Sequence, residues 1–336
     1  MWAAASAQIN TGAIGGVVRD ESEGVLPGAT VIATHEGTGF SIQRVTDVDG
    51  RFFLSALPIG DWEVAAELPG FSRTVQDDVV LQIGQTIELR LQLDLGQLTE
   101  EVSVEATVPL LQSTNAEISD VIGNREVEQI PLNGRQFLQL ALLSDAVVIP
   151  PGGTRGAALQ QAGPLPNVGG QRAGHNIYML DGFKITDELF NNLVINPSVD
   201  SIQEFKIQKS MYPPEFGGKA SALINIATKT GTNEFRGSAF TFVRDERFDA
   251  HNFFDPRDKP VPPLDQRQFG GSFGGPLISN RTFMFLSYEG QRIDRALTKT
   301  FSVPTSAVRN GNFKGFEQLC DPLTRNPQTG VCGSFF

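Results

Sequence analysis

Thr86-Ile87-Glu88-Leu89-Arg90-Leu91-Gln92-Leu93 is the stretch that decides the fold class. Ile87, Leu89, Leu91 and Leu93 alternate with Glu88, Arg90 and Gln92. An extended chain here sends one set of side chains to an interior and the other to water. The same pattern repeats toward the N-terminus. Strands are predicted at Ile14–Arg19, Ala29–His35, Ser41–Thr46, Arg51–Leu57, Trp62–Glu67 and Phe71–Val75. Turn residues separate them at short spacing, which predicts a β-sandwich over residues 12–95. Thr46-Asp47-Val48-Asp49-Gly50 reads as one of those turns, with aspartates accepting from nearby amides and Gly50 free to take a positive φ. It shares a DxDG core with calcium loops but lacks their later ligands and closing Glu.

The composition extends the β reading to the whole chain of 336 residues, with 35 Gly, 20 Pro and 24 Phe. These punctuators recur throughout and favour short strands over long helices. Hydrophobic residues at 40% and charged residues at 19% fit ordered domains rather than disorder. A net charge of −11, without any Lys/Arg run, argues against nucleic acid as a partner. No stretch approaches the roughly 20 apolar residues of a spanning helix, a test to which barrel strands of about 10 alternating residues are invisible. Ala5-Ser6-Ala7 before Gln8 has the form of a signal-peptidase site, so residues 1–11 are read as a signal-peptide remnant and leader. Cys320 and Cys332 are the two cysteines and can close a small loop in an oxidising compartment.

After the sandwich, Leu98-Thr99-Glu100-Glu101-Val102-Ser103-Val104-Glu105-Ala106 is an alternating segment within a linker at 96–108. Such a segment can add to the sheet edge of another protein, or simply enter the next domain. Residues 109–231 mix α and β signals. Gln136–Leu143 reads as a short helix, and the Gly/Pro-rich 150–174 reads as a long loop. Strand signals follow at 176–180, 202–207 and 222–230. From residue 232 aromatic alternation takes over, at Phe235–Val243, Gln268–Gly275 and Thr282–Glu289, with a polar, Pro-rich loop at 249–263. That density of Phe, Tyr and Gly suits a barrel wall. Phe240, Phe242, Phe283 and Phe285 are expected to form its lipid-facing band.

Particular motifs carry a family resemblance. Gly15–Asp20, Leu26–Val31, Thr46–Phe52 and Leu68–Phe71 look like the carboxypeptidase-regulatory-like domain, a transthyretin-like sandwich. Leu132-Asn133-Gly134-Arg135, Val168–Arg172, Leu180-Asp181-Gly182, Ile202–Lys206, Glu215–Gly218 and Thr228–Asn233 resemble, in that order, the plug of TonB-dependent outer-membrane receptors of the Oar-like subgroup. Asn252–Asp255 and Gly274–Leu277 resemble the opening barrel strands of that subgroup. The fold expected is mainly β: a β-sandwich, a mixed α/β plug domain at 109–231, and the first antiparallel strands of an incomplete transmembrane β-barrel from 232.

The resemblance implies an energy-coupled receptor of the outer membrane of a Gram-negative-type bacterium. Its partners would be a TonB-type periplasmic coupling protein, outer-membrane lipid and an extracellular ligand such as a siderophore, glycan or peptide. Glu101, Val102, Ser103, Val104, Glu105 and Ala106 match a TonB-box-like strand. Arg135, Arg172 and Asp181 would be structural or gating residues of the plug, buried among polar lumen contacts. Ligand contacts would come from 150–174 and 184–198. The stretch after the plug has room for about four strands, too few to close a barrel, which implies a fragment. The rival reading is a soluble cell-surface or periplasmic β protein that binds carbohydrate or protein.

No enzyme, cofactor or metal chemistry is expected. Gly270-Gly271-Ser272-Phe273-Gly274 satisfies GxSxG, but Gly274-Gly275-Pro276 would break the helix that must follow a nucleophile elbow. Asp77-Asp78 and Glu100-Glu101 are adjacent, and neighbours in a strand point to opposite faces. The three histidines are scattered, and none neighbours a cysteine.

Overall fold

The computed structural model describes residues 10–96, 101–104, 117–149, 165–189, 191–212, 216–251, 257–258, 260–295, 303–313, 323–329 and 331–332. The leader at 1–9 and the predicted loop at 150–164 lie outside them. The chain divides into two compact units, Met1–Phe242 with Gln268–Gln291, and Val243–Arg267 with Arg292–Phe336.

The sandwich is built as the alternation predicts. Its first sheet has the order β4-β1-β7, from β1 (Thr11–Asp20), β4 (Arg51–Pro58) and β7 (Thr86–Leu93). The second has the order β3-β2-β5-β6-β8, from β2 (Thr30–His35), β3 (Ser41–Val45), β5 (Gly60–Glu67), β6 (Arg73–Leu81) and β8 (Glu101–Val104). Ile87, Leu89, Leu91 and Leu93 enter a core shared with Ile14, Leu54, Trp62 and Val79. β1 runs parallel to β7 and antiparallel to β4, and Gly16 makes this close approach possible. A Cβ there would stand 2.1 Å from the Leu89 carbonyl oxygen. Asp47 accepts from the amides of Asp49 and Arg51, and Gly50 has φ +70°, so the DxDG segment is a turn held by its own backbone.

β6 departs from the expectation that it ends at Val75. It continues to Leu81 through a bulge in which Asp77 and Asp78 together oppose Glu63, with Asp78 at φ +57°. The extra residue reverses the alternation, so Thr74 and Gln76 are buried before it and Val79 and Leu81 after it. A period-two reading loses the strand at that point.

A second sheet system follows, in the order β13-β12-β15-β14-β9. Its strands are β9 (Ile118–Ile122), β12 (Ile177–Leu180), β13 (Phe183–Lys184), β14 (Ile202–Ser210) and β15 (Leu223–Thr228), with β12 and β15 parallel. The two-residue pair β10 (Val147–Val148) and β11 (Asn167–Val168) stands apart from it. Helix α1 (Asn124–Gln129) and the segment Phe137–Leu143 cover one face, with Phe137 edge-on to Phe205 at 5.8 Å. The latter segment is a 3-10 helix, tighter than an α-helix; it buries Phe137, Leu138, Leu140 and Ala141.

The C-terminal sheet has the order β16-β17-β18, from Arg236–Asp245, Leu264–Ile278 and Thr282–Arg295. These are the strands described after residue 232. The 243–267 and 292–336 unit contributes connecting segments, among them a 3-10 turn at Glu246–Phe248 and the short helix α2 (Ser306–Arg309). Among the described residues, no helix is long and apolar enough to cross a membrane.

Candidate functional site

Arg135 is the expected site residue around which the most is assembled. Gly134 and Arg135 both have positive φ, +66° and +53°, which turns the chain sharply and throws the guanidinium away from its own loop. Outside glycine that conformation is costly and needs compensation. Here the guanidinium is clasped by Asp200 and donates through Nε to Glu289 on β18 at 3.4 Å. It also lies over the Phe240 ring of β16, 3.9 Å from the centroid, with the Phe242 ring at 5.5 Å. Ser198 donates to Glu289 at 2.7 Å, Ser238 donates to Asp200 at 2.8 Å, and Gln268 donates to the Gly134 carbonyl at 3.2 Å. The side chains of Arg135, Asp200 and Glu289 are 14%, 19% and 20% exposed. The cation thus ties the central domain to β16 and β18, and the Gly134 carbonyl beside it accepts from Gln268 on β17.

This cluster fixes which face of the C-terminal sheet is which, and it corrects the expected aromatic band. Phe240 and Phe242 lie on the Arg135 side. Phe283 and Phe285 alternate with that face too, being in step with Glu289 along β18. The opposite face carries Phe235 stacked on Phe273 at 5.8 Å, Phe269 against Tyr288 at 6.2 Å, and exposed Leu286. Gly275 and Gly290 lie beneath the Phe235 and Phe269 rings. That outer face is apolar and aromatic.

Asp181 and Arg172 were expected to be buried, and both are exposed. Asp181 does structural work instead. With φ +47° in its turn, it accepts from the Thr228 amide at 2.9 Å and hydroxyl at 2.7 Å, and from the Asn10 side chain at 2.8 Å. Its burial is not needed, because those donors satisfy the carboxylate at the surface. Arg172 immediately precedes the 3-10 turn Ala173–His175 and stays in solvent.

Sequence reasoning missed a second polar cluster. Along β14, Phe205 and Ile207 face the central core, while Glu204, Lys206 and Gln208 form the other face and are buried as well. Glu204 accepts from the Ile83 amide, and Lys206 donates to the Gly84 carbonyl at 3.3 Å. Both acceptor and donor belong to the 82–85 turn of the sandwich. Lys206 also pairs with Glu117 at 2.7 Å, with side chains 2% and 3% exposed, and Gln208 donates to Glu117 at 2.9 Å. Burial pushes the Glu117 carboxyl up, but hydrogen bonds from Lys206, Ser119 and Gln208 outweigh it and hold it below its ordinary value. For Glu204 burial wins over the Ile83 bond and the Lys206 charge, and its pKa is raised to about 7. An alternating Glu-Phe-Lys-Ile-Gln run reads as a wet face; only the docked sandwich makes it dry.

The segment expected to be a coupling strand is β8. It pairs parallel to β6, with Arg73 opposite Glu101, Thr74 opposite Val102, Val75 opposite Ser103 and Gln76 opposite Val104. Its described part is an edge strand of the sandwich; Glu105 and Ala106 lie outside the described residues. Of the expected ligand segments, 184–198 contains a bridge between Thr186 and Leu193, and Leu189, Val194 and Ile195 are exposed. Cys332 is disulfide-bonded, and Cys320 lies outside the described residues. Ser272 sits within β17 with its hydroxyl 2.9 Å from that of Ser238, and the chain continues as strand, without the helix of a nucleophile elbow. Among the described residues no group of three or more His, Cys, Asp or Glu is placed to hold a metal.

Comparison with known proteins gives three kinds of likeness. Residues 13–94 match the carboxypeptidase regulatory-like domain, and residues 227–335 match the outer membrane beta barrel domain. The chain is homologous to the TonB-dependent transporter Oar of Myxococcus xanthus, 25% identical over 296 residues. That alignment covers 85% of this chain and 27% of Oar, so the chain spans about a quarter of its relative's length. Among solved structures it overlaps the siderophore receptor PirA from Acinetobacter baumannii, at a TM-score of 0.37 and 18% identity over 56% of this chain and 26% of that one. It also overlaps the outer membrane transporter YddB from Escherichia coli, at 0.42 and 12% over 53% and 26%. Overlaps so partial carry no argument here.

Proposed function

We propose that this chain is the N-terminal portion of an energy-coupled outer-membrane receptor, in which residues 109–231 form a plug and β16–β18 open the barrel wall around it. The observation that carries the reading is the Arg135 clasp. A cation from the central domain, desolvated between one carboxylate of its own domain and one from β18, is the chemistry by which a plug is seated against a barrel's inner wall. The aromatic outer face of the same strands supports it, since strands with one face packed against the Arg135 cluster and the other apolar suit a wall between lumen and lipid. The homology to Oar and the match of residues 227–335 to an outer membrane barrel domain agree with that placement.

In this reading a TonB-type coupling protein grips the 98–106 segment by strand addition from the periplasmic side, and tension moves the plug. Arg135 seats the plug, Asp181 fixes the turn between β12 and β13, and Arg172 faces the lumen. The cargo is a ligand too large for passive pores, in the class of siderophores, glycans or peptides. The proposal is tested by placing a photo-crosslinker at Ser103 of the receptor in cells. Crosslinking to the coupling protein, increasing when ligand is present, is the expected result. Crosslinks to lipid or to soluble periplasmic proteins alone would remove the coupling role.

A further inference from the structure

We propose that the sandwich is a splint across the joint between plug and wall: it stays with the plug, and its 36–39 turn must let go of the wall before the plug can swing. The proposal rests on reading residues 109–231 as the plug and β16–β18 as the wall, and it names what guards their movement.

The joint is short. The Lys229 amide donates to the Ser201 carbonyl at 2.8 Å and its ammonium pairs with Glu128 of α1, so the chain is still tied to the central domain there. Two residues on, Gly231 is packed against the wall. A Cβ on it would stand 2.3 Å from the Met284 carbonyl oxygen of β18 and 2.9 Å from that of Gly275 on β17. Only Thr230 lies between. Asn233 fixes the wall side further. Its side chain accepts from the Asn280 amide at 2.8 Å and donates to the Asn280 side chain at 2.7 Å, in the turn between β17 and β18.

One end of the sandwich reaches both sides of that joint. On the plug side its 82–85 turn meets Glu204 and Lys206, and Asn10 donates to Asp181 at 2.8 Å and to the Ile226 carbonyl at 3.4 Å. On the wall side the Gly37 carbonyl accepts from the Asn233 amide at 2.8 Å, and Gly39 lies against the Asn280 side chain. The sheet behind these turns ties them together, with His35 opposite Trp62 and Gly60 opposite Leu81. A plug that swings about Thr230 must therefore break one attachment or the other.

The two attachments are unequal. Ile83, Glu204 and Lys206 are buried at the plug attachment, and its bonds to Lys206 and Asp181 are charge-assisted, roughly twice as strong as neutral ones. Among the described residues, the wall attachment is one neutral backbone bond beside exposed Gly39 and Asn280, where water competes. The wall attachment opens first, and the sandwich travels with the plug.

Gly37 and Thr232 allow the splint to be locked. A Cβ on Gly37 would stand 3.7 Å from that of Thr232, inside the range of about 3.5–4.5 Å that a disulfide spans. Gln268 on β17 reports the movement, because it is buried where it bonds the Gly134 carbonyl and is uncovered when the plug leaves. The test measures labelling at position 268 by a water-soluble maleimide, in the Gln268→Cys variant of the full-length receptor in detergent and moderate urea. Adding Gly37→Cys/Thr232→Cys in oxidised form is expected to slow that labelling at least tenfold, and either of these two substitutions alone to leave it unchanged. Equal labelling with and without the lock would overturn the proposal alone. Labelling as fast as that of an unfolded peptide, locked or not, would show that no plug covers β17 and would overturn the plug reading as well. Hydrogen exchange on the unsubstituted receptor tests which attachment opens. The Asn233 amide should exchange at least tenfold faster, relative to its intrinsic rate, than the Ile83 amide, which should keep pace with β14 as urea is added. An Ile83 amide that opens with Asn233 while β14 stays protected would mean that the sandwich leaves the plug, against the proposal.

Discussion

Arg135 and Glu289 are 154 positions apart in the chain and 3.4 Å apart in the structure, Nε to Oε2. The contact joins a strained turn to a barrel-type strand, and it does so beside a second carboxylate, Asp200, and under two phenylalanine rings. Substituting Arg135 by Met would leave two largely desolvated carboxylates facing each other. Breaking a buried pair costs roughly 3–5 kcal/mol, and the residual exposure here lowers that to about 2 kcal/mol. Urea unfolding of the detergent-solubilised chain should register the loss. Lys at this position should recover only part of it, because an ammonium has neither the planar fork nor the stacking face. An Arg135→Met variant of unchanged stability would show that the clasp does not seat the domain.

Glu204 gives the contact between β14 and the sandwich a pH dependence of definite sign. Its carboxyl titrates at about 7 in the folded chain against 4.5 when unfolded, so the folded state holds the extra proton between those values. The contribution is fully present below about pH 4.5 and is lost as pH rises through about 7. A shift of that size corresponds to about 3 kcal/mol at 1.36 kcal/mol per pKa unit. Glu204→Gln keeps an oxygen to accept from the Ile83 amide and removes the titration. It should stabilise the chain at pH 8 and flatten the slope between pH 4.5 and 7. A variant retaining the parent slope would place the titration elsewhere.

Gly16 is predicted to be intolerant of any side chain. A methyl group would meet the Leu89 carbonyl oxygen at 2.1 Å and the Phe52 ring at 2.9 Å, and both belong to strands flanking β1. Overpacking of this kind costs about 1–3 kcal/mol, and the backbone contact puts Gly16→Ala at the upper end. Thermal unfolding followed by circular dichroism would read it; Gly28→Ala, where no atom lies within 4 Å, serves as control for a positive-φ site with open space.

Much of the sandwich was legible because one strand, β7, alternates without interruption. Its four apolar side chains are each 5% exposed or less. The bulge in β6 was not legible, since a single extra residue leaves no compositional mark. Arg135 was picked out by its turn motif, yet its partners could not be, because Asp200 and Glu289 reach it only through tertiary folding. The wall strands carry aromatics on both faces, so alternation separates two faces without saying which is inside. Arg135 marks one face in the structure, and under the proposed plug reading that face, with Phe240, Phe242, Phe283 and Phe285, is the inner one. The dry Glu204–Lys206–Gln208 face was unreadable for a related reason: period two marks sidedness, while burial of the polar side comes from another domain.

The two-faced sheet also predicts how the receptor tolerates charge. Leu286→Lys, on the outer aromatic face, should impair assembly into the outer membrane, at about 2–4 kcal/mol if the residue lies near mid-depth. Ser287→Lys, on the inner face, should be milder. Comparing the heat-modifiable, membrane-extracted fraction of the two variants of the full-length receptor would show it. Equal assembly of both would remove the distinction between faces.

The most direct test of the whole account is a nitroxide scan along residues 282–291 of the full-length receptor in bilayers, reading accessibility to oxygen and to a water-soluble nickel chelate. The account predicts a period of two, with oxygen accessibility highest at Met284, Leu286 and Tyr288, and Phe283, Phe285 and Glu289 shielded from both reagents. Accessibility to the nickel chelate at Leu286 and Tyr288, with no maximum for oxygen there, would mean that these strands do not face lipid and that the chain is not the start of a membrane barrel.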